Sequence, residues 1–90
     1  MTGKRLDLTG IWSEGDFHDR VVSAFGFPYY YGRNLDAFDE CFDEFCSGHT
    51  IYVSGLSDLP TSLRGLVDRY LNVMKELALA SPDLFDLVIE

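Results

Sequence analysis

Five carboxylates fall within nine residues at Asp36, Asp39, Glu40, Asp43 and Glu44, and no Lys or Arg occurs between Asn34 and Cys46 to answer them. Acids this dense could serve as a general acid and base, as ligands of a hard cation, or as a charge display offered to a basic partner. A catalytic dyad such as Asp36 with Glu40 needs one carboxyl in an apolar pocket, so that it stays protonated while the other ionises. Nothing in the surrounding sequence supplies that pocket. A hard cation wants oxygen ligands converging from several directions, whereas all five acids, wound at about 100° per residue, share one arc roughly 140° wide on a single helix. No metal, no cofactor and no catalytic residue is therefore expected, and the charge display remains.

The other chemistry-bearing residues give less. His18 and His49 are far apart, accompany no nucleophile in a recognisable setting, and read as partly exposed side chains, one on a helix and one before a strand. Tyr31-Gly32-Arg33 holds a single glycine and is no phosphate loop. Cys41 and Cys46 would diverge by roughly 140° on a helix, too far apart for a disulfide. They read as reduced core thiols, as in a cytoplasmic protein. The run Tyr29-Tyr30-Tyr31 is more informative. Large, stiff aromatics beside charges are the usual make-up of an interface centre. At least one of the three should be buried, because three exposed rings would leave too much apolar surface in water. Gly32 either takes a positive φ or lets a partner backbone approach closely.

The elements that must position these residues follow from periodicity. Arg5 to Leu8 alternates as a short strand. Ser13 can cap a helix whose apolar positions Phe17, Val21, Val22 and Phe25 recur at helical spacing, and Gly26 followed by Pro28 stops it. After the tyrosines, Asn34 caps the acidic helix, which runs to about Ser47-Gly48. Its opposite face carries Leu35, Phe38, Cys41, Phe42, Phe45 and Cys46. Thr50 to Val53 is a second strand, Leu56 to Arg64 a turn or a single helical turn, and Leu63 to Leu79 a long amphipathic helix closed by Ser81-Pro82-Asp83. Leu84 to Ile89 is a third strand; its nearly unbroken apolar run suggests the middle of the sheet. Strands separated by helices require crossovers. The fold class is thus α/β, a small three-stranded parallel sheet with about three to four helices packed on it.

Ninety residues, 47% hydrophobic, suffice for one core and one domain spanning 1–90. The formal net charge of -8 disfavours nucleic acid and anionic membrane surfaces, both of which need a basic footprint. It favours a basic protein partner. No apolar run approaches the ~18 residues of a membrane span. Met1 to Arg5 is followed by Leu-Asp-Leu-Thr-Gly in place of an apolar leader core, so a cytoplasmic location is expected.

The segment Tyr30-Tyr31-Gly32-Arg33-Asn34-Leu35-Asp36-Ala37-Phe38-Asp39-Glu40-Cys41 resembles the signature of the barstar family, intracellular protein inhibitors of secreted microbial ribonucleases. The order of elements outside it is compatible with the same family. The resemblance implies a partner-binding surface and no enzyme. By position, Glu40 would enter the basic active-site cleft of a guanyl-preferring ribonuclease as a mimic of the RNA phosphate. Asp36 would pair with basic residues at the rim, Tyr30 would stack on a catalytic-site residue, and Gly32, Asn34 and Leu35 would make close contacts. Asp39 and Asp43 extend the charged face, and Glu76 would add a peripheral charge contact. A 1:1 complex and a free monomer are implied.

The family's best-known members carry Asp where Glu40 stands and Trp where Asp39 stands, and Phe45 replaces an aromatic of another kind. The plug here is one methylene longer and has exchanged an aromatic for a charge, which bears on the choice of target. The alternative reading is an acidic nucleic-acid mimic or adaptor for a different basic partner.

Overall fold

The computed structural model describes residues 3–90. The expectation about the amino-terminal leader includes Met1 and Thr2, which lie outside the described residues. The chain runs β1 (Gly3–Asp7), α1 (Glu14–Phe25), α2 (Leu35–Cys46), β2 (His49–Ser54), a short 3-10 turn (Leu56–Asp58), α3 (Thr61–Ala80) and β3 (Phe85–Ile89). The strands form one parallel sheet in the order β1-β2-β3, an α/β fold of the architecture expected from the alternating periods.

Local chemistry accounts for the element boundaries. Ser13 Oγ accepts from the Asp16 amide at 3.1 Å, and Gly26 ends α1 in the left-handed region with φ 72. Asn34 Oδ1 accepts from the Ala37 amide at 2.8 Å, satisfying one of the orphan donors of α2. Helix α3 begins at Thr61, two residues before the expected start, directly behind Pro60. Proline has no amide hydrogen to leave unsatisfied there and its φ already suits the helical start. Strand β1 begins earlier than expected and Leu8 lies just past its end, still paired through its amide to the Ser54 carbonyl at 2.9 Å.

The third strand is not central. β2 holds the middle position, with Ile51 and Val53 fully buried, while β3 is an edge. Its apolar run suggested cover on both faces. Only Phe85 is buried, however, with Leu87 half-buried and Val88 and Ile89 exposed. The physical reason is topological: with sheet order equal to chain order, two right-handed crossovers put every helix on the same face. The other face stays open and is dressed by Arg5, Tyr52 and Val88 in register. There the Arg5 guanidinium sits 5.1 Å from the centre of the Tyr52 ring and pairs with Glu90.

Between the sheet and the helices lies a core rich in aromatic rings. Phe38 and Phe42 of α2 stack at 5.5 Å, and Phe42 stacks in turn on Phe85 of β3 at 5.4 Å. Phe38 meets Tyr70 of α3 edge-on at 5.1 Å, and Phe25 of α1 meets Phe42 at 5.6 Å. The apolar face of α2 is thereby clamped by both other helices and a strand, which fixes how its opposite face is presented.

Candidate functional site

The loop leading into α2 is organised by one tyrosine turned inward. Tyr31 is buried at 6% exposure, its ring 5.0 Å from Phe27, and its amide donates to the Pro28 carbonyl at 3.0 Å. Its hydroxyl lies 2.9 Å from Nδ1 of His18, and the other ring nitrogen of His18 lies 3.5 Å from the Tyr70 hydroxyl. Burial is the main force pushing the Tyr31 phenol far above its ordinary range and the Tyr70 phenol upward, so both keep their protons. With Tyr31 anchored, Tyr29 and Tyr30 have nowhere to go but out: they are 99% and 68% exposed and meet each other edge-on at 5.5 Å. One ring of the three is buried and two are displayed.

Gly32 does not take the positive φ. That conformation belongs to Arg33, at φ 54, an uncommon one for a side-chain-bearing residue. Arg33 is held there by its guanidinium, which donates to Asp19 Oδ1 of α1 at 2.7 Å. Space at Gly32 is tight: a Cβ would come within 3.3 Å of the Ala37 Cβ and of Asn34 Nδ2, so these side chains would have to give by a few tenths of an ångström. Asn34 works in both directions, capping α2 with its oxygen and donating from Nδ2 to the Gly32 carbonyl at 3.2 Å.

All five acids of α2 are exposed, along the face opposite Phe38, Cys41, Phe42 and Cys46. The ion pairs Arg5–Glu90 and Arg33–Asp19 involve none of them, and among the described residues no lysine or arginine is paired with these carboxylates. The arginine nearest in sequence, Arg33, is spent on α1. Beneath, burial pushes the Cys46 thiol up to about 12 and raises that of Cys41, the charges of Glu44 and Glu40 adding to the second shift. Both cysteines are free and buried, as their place on the apolar arc implied.

Of the nine residues expected to meet a partner, eight lie in one stretch of the chain, between Tyr30 and Asp43. Tyr30, Gly32, Asn34, Asp36, Asp39, Glu40 and Asp43 are exposed and Leu35 is half-buried. Asn34 and Leu35 also line a groove of about 260 Å³ together with Glu14, Arg33, Leu66, Arg69 and Tyr70. Glu76 is exposed but stands on α3, near the other end of the chain. An exposed helix face gives a carboxylate dyad no apolar enclosure, and among the described residues no group of three or more His, Cys, Asp or Glu could hold a metal ion.

His18 corrects an expectation. It is 2% exposed, not a half-solvated helix residue, and burial is the leading cause of a pKa below its usual value. The signal was present in the spacing. At about 100° per residue His18 falls between Phe17 and Val22, inside the arc that Val21 and Phe25 also occupy. An imidazole can join a core when both nitrogens find partners, and here two tyrosine hydroxyls supply them.

A family model described as Barstar (barnase inhibitor) matches residues 1–89 of the chain. No curated protein matches it.

Proposed function

The chain belongs to the barstar family, and from that membership we propose that it inhibits a secreted, guanyl-preferring microbial ribonuclease by plugging the enzyme's active site with α2 and the tyrosine loop. The observation that carries the reading is the face of α2: five carboxylates with no lysine or arginine paired to them among the described residues, on a helix already clamped into the core. A ribonuclease must converge positive charge on a phosphate to stabilise its transition state. A rigid row of carboxylates answers that charge without offering a scissile bond.

Glu40, near the centre of the acidic arc, enters the phosphate-binding pocket. Asp36, Asp39 and Asp43 meet basic residues at its rim, and Tyr30 packs on the cleft wall. Gly32, Asn34 and Leu35 pack closely where the loop joins the helix, and Glu76 makes an outlying charge contact. The inhibitor has no catalytic role of its own, acts from the cytoplasm as a monomer and binds its enzyme one to one. Because the helix is folded before it meets the enzyme, little ordering cost is incurred on association.

The test is titration of a panel of purified guanyl-preferring ribonucleases with the protein and with Glu40→Ala. Stoichiometric inhibition by the native chain is expected, weakened in the variant by about 2 kcal/mol or more, with an unchanged or slightly higher Tm because like-charge repulsion is relieved. Equal inhibition by the variant would remove Glu40 from the site. A panel wholly unaffected by the native chain would overturn the proposal.

A further inference from the structure

One cation stands at the edge of the acidic face, and the fold turns it away. Arg33 is the only lysine or arginine between Arg20 and Arg64. It immediately precedes the cap of α2 and comes three residues before Asp36, the first acid of the face. Its guanidinium nonetheless reaches back to α1, donating from Nη2 to Asp19 Oδ1 at 2.7 Å. Stability does not account for this pair. Both side chains are open to solvent, where an ion pair contributes little. Arg33 also holds φ 54, a region that glycine enters freely and other residues only at a cost.

We propose that Asp19 is a positioning residue for partner association: by holding the Arg33 guanidinium against α1, it keeps that charge from neutralising Asp36 and leaves the acidic face of α2 whole for a basic partner. The proposal rests on that face meeting a basic cleft, but where Asp19 holds Arg33 is a property of the free protein.

A guanidinium released from Asp19 has two other carboxylates to turn to. Asp36 is the nearest acid along the chain. Glu14 lines the groove of about 260 Å³ that Arg33 also lines, but Arg69 stands in the same groove and makes no ion pair of its own among the described residues. Glu14 therefore already has a cation beside it, whereas no described lysine or arginine is paired with Asp36. The freed charge settles on Asp36 and silences one carboxylate of the five. Steering by charge raises association rates by about 10- to 10³-fold, so an even share for one carboxylate in five is about two- to fourfold.

Association with a ribonuclease that the native chain inhibits would be measured by stopped flow at about 0.1 M ionic strength, where the screening length is ~10 Å. The chains compared are the native one, Asp19→Asn, Asp19→Glu, Asp19→Asn combined with Arg33→Gln, and Asp86→Asn. Asp86 lies on the open face of the sheet, so its variant makes the same change in net charge with the sheet and the helix layer between it and the acidic face. Asp19→Asn is expected to associate about two- to fourfold more slowly, while Asp19→Glu, which keeps the carboxylate, and Asp86→Asn stay close to the native rate. The double variant is decisive. It lacks the ion pair but also the stray charge, so its rate should return to the native one, whereas a purely structural role for the pair would leave it slow. In the free proteins, NMR contacts of the Arg33 guanidinium should run to α1 in the native chain and to Asp36 in Asp19→Asn. A guanidinium that stays on α1 or turns to Glu14 in that variant, a native rate in Asp19→Asn, or a double variant as slow as Asp19→Asn would overturn the proposal. If the native chain binds no ribonuclease, the proposed function fails, while the NMR contacts still decide whether Asp19 withholds Arg33 from Asp36.

Discussion

Two glycines show how much a single position depends on what surrounds it. Gly55 closes β2 at φ +82, and a Cβ there would lie 2.5 Å from the Thr9 amide nitrogen and 3.0 Å from the Leu8 carbonyl carbon. Gly55→Ala is therefore expected to destabilise by more than the ~1–2 kcal/mol of a left-handed residue, since backbone must also move. Gly65 lies in the first half of α3, and a Cβ added to it would meet nothing within 4 Å. There Gly65→Ala should stabilise by about 0.5–1 kcal/mol through backbone entropy. Thermal unfolding of the two variants should give shifts of opposite sign; equal shifts would contradict the close approach of Gly55 to the β1 end. The same dependence on surroundings governs the tyrosines: Tyr29, Tyr30 and Tyr31 are identical side chains, and only the third finds a place in the core and a buried hydroxyl partner.

At the level of the element, α2 divides its two duties cleanly. Its inner face is energetic: Phe42 is stacked between Phe38 and Phe85 and almost completely buried, so Phe42→Ala is expected to cost about 3–5 kcal/mol by cavity formation. Its outer face works against the helix. Glu44 lies four residues after Glu40 and in the last turns of α2, where both its neighbour and the helix macrodipole disfavour a negative charge. Glu44→Gln is accordingly expected to raise stability by about 0.3–1 kcal/mol. Chemical denaturation would check both, and a destabilised Glu44→Gln would mean that this face is paired in a way the structure does not display. A helix that tolerates such repulsion gains from it only when a basic surface covers it.

For the whole molecule, the charge distribution sets how it meets a partner. Five of the acids behind the net charge of -8 stand on α2, while Lys4, Arg5, Arg20 and Arg33 are committed to partners elsewhere: the Phe25 carbonyl, Glu90, the Asp7 carbonyl and Asp19. Association with a basic cleft should therefore be electrostatically steered. Raising ionic strength from about 0.01 M to about 0.15 M shortens the screening length from ~30 Å to ~8 Å, and the association rate measured by stopped flow is expected to fall steeply over that range. A rate indifferent to salt would leave the acidic face without a kinetic role.

The amino-acid sequence by itself determined the element order, both N-caps, the stop at Gly26, the inner and outer arcs of α2 and the burial of one loop tyrosine. All of these rest on period, capping chemistry or steric limits acting over a few residues. The motif from Tyr30 to Cys41 also carried the family, which the match over residues 1–89 shows. Tertiary structure alone decided which strand is central, because an apolar run reports that burial is needed and not which neighbours provide it. It also decided that the positive φ falls on Arg33, tied down by an aspartate on another helix, and not on Gly32. His18 lies between these cases. Its spacing placed it on the apolar arc of α1, but only the convergence of Tyr31 and Tyr70 from two other elements makes an imidazole acceptable in the core. Satisfaction of a buried polar group depends on partners distant in the chain, and no local pattern encodes where they will be.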